Sequence, residues 1–315
     1  MRPDKISKVA VVGAGTIGAG WATLFACRGY PVQMYDSASG GCEQALGRIS
    51  KNLDFLASRG LVDDDEVEPS LRRIQVADSI DEAVAGVDFV QESVAERYDV
   101  KKSVFRQMDL AAPAEAILAS SSSGLLISQI QKATTRPGRC VLAHPFNPPH
   151  LIPLVEIVKG QATDQDTIEA TRDWMAGLGK VPVVLSKEVP GHIANRLQAA
   201  IWREAIDLVD QGVASVEAVD KALCAGPGLR WALMGQHMIF HLGGGPGGLE
   251  YFINTLGQGV FSTLWRDLAT WTSVTDEMKA SLISGIQDEQ GDQTLEDVAA
   301  WRDDKLVELL KMVYS

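Results

Sequence analysis

A strand that runs straight into a glycine-spaced helix start constrains this chain more than any other feature. In Val9-Ala10-Val11-Val12-Gly13-Ala14-Gly15-Thr16-Ile17-Gly18 an apolar run gives way to the pattern G-x-G-x-x-G. Gly13 permits a tight turn, Gly15 lets backbone come close to a pyrophosphate, and Gly18 lets the helix pack closely. The helix start then offers free N–H groups and the positive end of its dipole. A second strand, Pro31 to Asp36, ends about 20 residues beyond the glycines, where a carboxylate accepts hydrogen bonds from ribose hydroxyls and repels a ribose phosphate. These features predict NAD rather than NADP, held by Gly13, Gly15, Thr16, Ile17, Gly18 and Asp36.

The rest of the first 190 residues continues the alternation. Short β-branched runs recur at Lys8 to Val12, Val32 to Tyr35, Asp88 to Val94, Ile117 to Ser120, Cys140 to Ala143, Leu154 to Val158 and Val181 to Leu185, with helical patterns between several of them. Such alternation predicts a Rossmann-type, doubly wound, mostly parallel α/β sheet. Asp36 to Gly60 reads as one helical arm, with Ala45, Ile49, Leu53 and Leu56 three and four apart. After Pro190-Gly191 the β pattern stops and helix-period patterning runs almost to Tyr314. Two domains are therefore expected in the 315 residues, a nucleotide-binding unit at 1–190 and an all-helical unit at 191–315 that carries substrate contacts and a homodimer face. The run Gly243 to Gly248 has no preceding strand and reads as a mobile loop.

Charge and cysteine usage narrow the class. With 29 basic and 41 acidic residues the net charge is -12, which repels phosphate backbones and anionic lipid and argues against nucleic-acid binding. No stretch is apolar for long enough to span a bilayer, and Met1 to Lys8 lacks the apolar core of a secretion signal, so a cytoplasmic protein without a membrane partner is expected. Cys27, Cys42, Cys140 and Cys224 are widely spaced, as unpaired thiols rather than disulfides or a zinc site. His237 and His241 share a helix face but lack a third ligand, so no metal is expected.

The acid–base candidates lie in the second half of the sheet unit. His144 stands at the carboxyl end of a strand, before Pro145-Phe146-Asn147-Pro148-Pro149, a loop too proline-rich to continue either element. Ligands gather at that edge of an open parallel sheet, and imidazole suits proton transfer near neutrality. Glu156, twelve residues on, sits inside Leu154-Val155-Glu156-Ile157-Val158, where an ionised carboxylate needs a partner. The pair fits a base and its orienting acid. Singly, His144 also fits a satisfied structural histidine, and Glu156 an edge-strand residue facing solvent.

These residues resemble the L-3-hydroxyacyl-CoA dehydrogenases. The resemblance runs through Gly13 to Gly18, Asp36, Glu92 to Glu96 with Lys101, Ser120 to Ser123, His144 to Pro148, and Pro190-Gly191-His192-Ile193-Ala194-Asn195-Arg196. It implies that His144 is the general base and Glu156 its partner, that Ser123 and Asn195 bond the reacting oxygen and the histidine, and that Glu96, Lys101 and Asn147 lie against the nicotinamide half of NAD. Ser123 is equally a turn residue, and Asn195 equally a helix cap. Two departures weigh against an acyl-CoA substrate. The segment Ser37 to Glu43 lacks a lysine for CoA phosphates, and Gly226-Pro227-Gly228-Leu229-Arg230-Trp231 replaces a shorter, arginine-free segment. This form is similar to the branch with lambda-crystallin, L-gulonate 3-dehydrogenase and L-carnitine dehydrogenase. Arg230 would then clamp a free substrate carboxylate, where otherwise it would cap a helix or pair with a surface acid. The resemblance implies an NAD-dependent oxidoreductase for a small free L-3-hydroxy acid. An acyl-CoA dehydrogenase and a non-catalytic NAD-binding structural protein are the alternatives.

Overall fold

The computed structural model describes residues 6–314, apart from the side chains of Leu256 and Gln258. Eight strands form one sheet: β1 (Val9–Val12), β2 (Val32–Tyr35), β3 (Ile74–Val76), β4 (Phe89–Glu92), β5 (Ile117–Ser120), β6 (Cys140–Pro145), β7 (Leu154–Val158) and β8 (Val181–Leu185). Their order is β3-β2-β1-β4-β5-β6-β7-β8. Neighbours are parallel throughout except β6 and β7, which are antiparallel. The chain winds one way from β1 to β3 and the other way from β4 onward, so the crevice at the carboxyl ends of β1 and β4 is the topological switch point where nucleotides bind in such sheets.

Helices cover both faces. They are α1 (Thr16–Cys27), α2 (Gly41–Ser58), α3 (Val67–Arg72), α4 (Ile80–Val84), α5 (Tyr98–Ala111), α6 (Ile127–Ile130) and α7 (Gln165–Gly177). Alternate residues of β1 feed two separate cores. Val9 and Val11 join Trp21, Phe25, Ile49, Leu53 and Trp174, while Ala10 and Val12 join Phe105, Met108, Leu118 and Leu142. That two-sided burial explains why the strands read as continuous apolar runs rather than alternating ones. Two local readings need correction. β3 was not expected, because only Ile74 of this edge strand is buried. The arm expected from Asp36 starts as a helix only at Gly41, because the Asp36 carboxylate accepts the Ala38 N–H at 2.8 Å and Gly40 turns with φ +71°.

The chain separates into two compact units, residues 1–195 and 196–315, a few residues beyond the Pro190-Gly191 turn. In the second lie most of α8 (Ala194–Asp210), then α9 (Val216–Leu223), α10 (Leu229–Trp231), α11 (Gln236–Gly243), α12 (Gly248–Tyr251), α13 (Gln258–Asp267), α14 (Asp276–Gln290) and α15 (Leu295–Tyr314). Side chains of Ser215 and Thr275 cap α9 and α14. The glycine run expected as a mobile loop instead ends α11, makes a 3-10 turn at Gly245–Gly247 and starts α12. His241 Nδ1 accepts the Leu249 N–H there at 3.1 Å, which gives this imidazole a packing role.

Candidate active site

The glycine turn is built by close approach. Gly13 has φ +95°, and a Cβ on it would lie 2.6 Å from the Ser93 carbonyl carbon at the end of β4. On Gly18 a Cβ would come within 1.9 Å of the Gly13 carbonyl oxygen. Both positions therefore exclude a side chain for reasons internal to the fold. Gly15 differs, because a Cβ there would meet nothing within 4 Å. Its bareness keeps open space in front of α1, whose N-terminus carries no side-chain cap. Thr16 is exposed and Ile17 half-buried in that first turn. Uncapped N–H groups facing reserved space are what a pyrophosphate requires, so the residues present fit a dinucleotide.

The Asp36 carboxylate is engaged within the turn. Its Oδ2 accepts the Ala14 N–H at 2.6 Å, tying the carboxylate to the turn itself. Arg48 of α2 donates to the Ala14 carbonyl at 2.9 Å, a contact that no local pattern in the sequence announces.

At the ends of β4 and β5 a second network forms. Lys101 is only 1% exposed, with its ammonium 2.7 Å from Glu92, 3.1 Å from the Val94 carbonyl and 3.4 Å from Glu96. Glu92 also accepts from Ser120 at 2.6 Å and from the Val94 N–H at 2.7 Å. Lys101 is thus enclosed by Glu92, Glu96 and the turn after β4. Glu96 Oε1 collects Ser122 Oγ at 2.6 Å and the N–H groups of Ser123 and Gly124 at 2.9 Å each. Partial burial would raise its pKa, but these bonds and the Lys101 charge outweigh it and hold the carboxylate below its usual range.

His144 and Glu156 are directly opposite each other across the antiparallel β6–β7 pair. Neither faces solvent, since Glu156 is 1% exposed and His144 is buried. The hairpin thus accounts for their separation of twelve residues, and side chains paired across such strands meet on one face. His144 Nδ1 lies 2.9 Å from Glu156 Oε2. The other oxygen, Oε1, accepts the N–H groups of Ile193 at 2.8 Å and Ala194 at 3.0 Å at the start of α8. Burial pushes the Glu156 pKa up, but the bonds from His144, Ala194 and Ile193 together hold it below the usual range. In the tautomer that donates Nδ1–H to the carboxylate, Nε2 is left with a bare lone pair.

Other residues of the sheet unit lie around this pair. Asn195 donates to the Ser123 carbonyl at 3.1 Å, while Ser123 is exposed and Asn147 is exposed just past His144. Phe146 lies edge-on to the His144 ring. His192, missed as a contributor, is 1% exposed with its ring centroid 5.2 Å from that of His144. It has φ +54°, the sole positive value outside glycine among the described residues. Its Nε2 meets the Ser122 carbonyl at 3.1 Å. Burial first, and then the nearby His144 charge, lower its pKa and favour the neutral ring. This strained turn aims the Ile193 and Ala194 N–H groups at Glu156. Arg230 belongs to the other unit, on the short helix α10, where it is exposed; its carbonyl accepts the N–H groups of Leu233 and Met234, while its guanidinium has no hydrogen-bond or ion-pair partner among the described residues.

Comparison with known proteins meets this geometry at both units. Residues 8–189 match the 3-hydroxyacyl-CoA dehydrogenase NAD binding domain, and residues 191–282 match the C-terminal domain of the same enzymes. The chain belongs to the 3-hydroxyacyl-CoA dehydrogenase family. It is accordingly an NAD-dependent dehydrogenase acting on a CH–OH group. Within the family it is 39% identical over 308 residues to an L-carnitine dehydrogenase of Oceanobacillus iheyensis, covering 98% of each chain. A second L-carnitine dehydrogenase, from Nocardiopsis dassonvillei, is 37% identical over 97% of this chain and 91% of its own. Among solved structures, 5-formyl-3-hydroxy-2-methylpyridine 4-carboxylic acid 5-dehydrogenase, an NAD+-dependent dismutase, superposes with a TM-score of 0.83 at 31% identity and 98% coverage of both chains. No described helix is long and apolar enough to cross a membrane, and no cluster of three or more potential metal ligands occurs among the described residues.

Proposed function

We propose that this dehydrogenase oxidises the 3-hydroxy group of a small free L-3-hydroxy acid, with L-carnitine the first candidate and gulonate-like or hydroxybutyrate-like acids behind it. The buried His144–Glu156 pair, with Nδ1 held by the carboxylate and Nε2 left free of it, carries the reading of the chemistry. His144 takes the hydroxyl proton at Nε2 as the 3-carbon loses hydride, and Glu156 stabilises the imidazolium formed. Bound NAD supplies the hydride acceptor. Gly13, Gly15, Thr16, Ile17, Gly18 and Asp36 hold its adenosine and phosphates, and Glu96 and Asn147 border the nicotinamide half. Ser123 and Asn195 position the reacting oxygen.

Arg230 supports the free acid, because an exposed guanidinium without a partner matches a carboxylate that a CoA thioester lacks. Full-length similarity to curated L-carnitine dehydrogenases supports the same choice. The test is a panel of L-carnitine, L-gulonate, 3-hydroxybutyrate and 3-hydroxybutyryl-CoA with NAD, followed by NADH absorbance. L-Carnitine is expected to give the highest kcat/KM. A preference for the thioester would return the substrate to the acyl-CoA class.

The same reading includes a cytoplasmic homodimer. All four cysteines are unpaired, as in a reducing compartment. In residues 196–314 the buried apolar side chains among the described residues are Ile206, Val216, Ala269, Met278 and Val307, whereas Trp202, Trp265 and Trp301 are each more than 60% exposed. So small a core beside so much apolar surface calls for a second copy. Light scattering on the purified protein should give twice the chain mass at micromolar concentration. A mass of one chain would remove the dimer from the proposal.

A further inference from the structure

The connection Phe146–Pro153 carries His144 at one end and Glu156 near the other, yet much of its backbone cannot bond within itself. Pro148, Pro149 and Pro153 lack N–H donors. The Pro148 carbonyl is met by the N–H groups of Leu151 and Ile152, and the Pro153 carbonyl by Val181. Two other carbonyls of the loop, those of Pro149 and Ile152, turn to a single buried group. Lys180, at the foot of β8 and 7% exposed, donates its ammonium to both, at 2.6 Å for Ile152. The same ammonium stands 5.6 Å from the centroid of the Trp21 ring on α1. Pro149 rests on that helix too, since a Cβ on Gly20 would lie 2.7 Å from Pro149 Cδ. The loop is therefore pinned between the NAD helix and β8.

We infer that Lys180 is the positioning residue of the acid–base hairpin: by gathering the Pro149 and Ile152 carbonyls under its ammonium it sets where His144 stands relative to the α1 turn. The inference rests on the proposed roles of His144 and Glu156. Among the described residues Lys180 has no carboxylate partner, so the burial of its charge is met by the two loop carbonyls and the Trp21 ring. The groups that face it make matters worse: Arg28 at the end of α1 repels it, Cys27 only weakly offsets that, and His150 of the loop offers no charge. Burial, then Arg28, push the Lys180 amine down to about 7, and burial together with Lys180 pushes His150 down to about 4. A buried cation without a carboxylate partner is a stability cost, of the sort that persists where geometry serves a site.

The folded value of about 7 against an ordinary 10.5 fixes the sign of the linkage. Between those values the unfolded chain holds a proton that the folded chain has released, so raising the pH through that window favours folding. The experiment compares wild type with Lys180→Met and Lys180→Arg as full chains. In Lys180→Met, kcat with L-carnitine should fall about 10-fold or more, since small displacements of reacting groups carry large rate effects, while the Kd for NAD stays within about 2-fold. The low-field His144 Nδ1–H resonance should move in the same variant without substrate. Wild-type Tm should rise from pH 7 to 10 relative to that of Lys180→Met. Lys180→Arg, which keeps charge and donors, should recover part of the kcat.

An unmoved His144 resonance, a kcat within 2-fold of wild type, or equal failure of both variants to fold would each overturn the positioning role. If His144→Gln were to retain full turnover, the dyad reading would fall on its own, and the resonance would still judge Lys180.

Discussion

Replacing His144 with Gln is expected to lower turnover by roughly 100-fold or more while leaving the fold and the Kd for NAD nearly unchanged. Glutamine keeps the approximate size and a hydrogen-bonding end for Glu156, but it has no basic nitrogen to take the hydroxyl proton. Its amide can still donate to Glu156 Oε2, which sits 2.9 Å from Nδ1 in the native pair, so the buried carboxylate is not abandoned. The effect should fall on kcat and kcat/KM together, the pattern of an interaction made in the transition state. Glu156→Gln should also slow turnover, for two reasons. It removes the charge that stabilises the imidazolium, and its amide can no longer accept at both ends as the carboxylate does from His144, Ile193 and Ala194. Stopped-flow measurement of the first turnover, beside isothermal titration of NAD, separates the chemical step from binding. Near wild-type turnover in His144→Gln would refute the assignment.

What could be read from the chain, and what could not, follows from how local each signal is. The glycine turn, Asp36 and the strand–helix alternation are local patterns, and each element appears close to its expected place. The α2 positions Ala45, Ile49, Leu53 and Leu56 are the four buried residues of that helix, as their spacing required. β3 was invisible because one buried residue makes no periodicity. His144 and Glu156 were legible as residue types that need a reason, but not as cross-strand neighbours, since the β6–β7 antiparallel turn interrupts an otherwise parallel sheet. The missed contributors share a cause. His192 meets Ser122 across seventy residues, and Lys180 reaches the Pro149 carbonyl across thirty-one. Burial of a charged or polar group at long range leaves no local trace except its presence in an apolar run, which marked Glu156 but not a lysine at a strand's start.

Replacing Arg230 with Met is expected to reduce kcat/KM for the free acid by roughly 10-fold to 150-fold, the equivalent of about 1.5–3 kcal/mol for a lost charge-assisted contact. Methionine keeps much of the apolar stem volume and removes both hydrogen-bonding edges of the guanidinium. Stability should change little, because the Arg230 side chain is exposed and makes no ion pair or hydrogen bond with the described residues. The Kd for NAD should not move, since the glycine turn and Asp36 lie in the other unit. The sharper measurement is selectivity. If the arginine recognises a carboxylate by charge, wild type should favour a free 3-hydroxy acid over its methyl ester, and Arg230→Met should narrow that ratio mainly by losing the acid. An unchanged acid-to-ester ratio in a folded variant would make Arg230 a surface residue. Strong wild-type turnover of 3-hydroxybutyryl-CoA would show that the extended segment around it does not exclude the thioester.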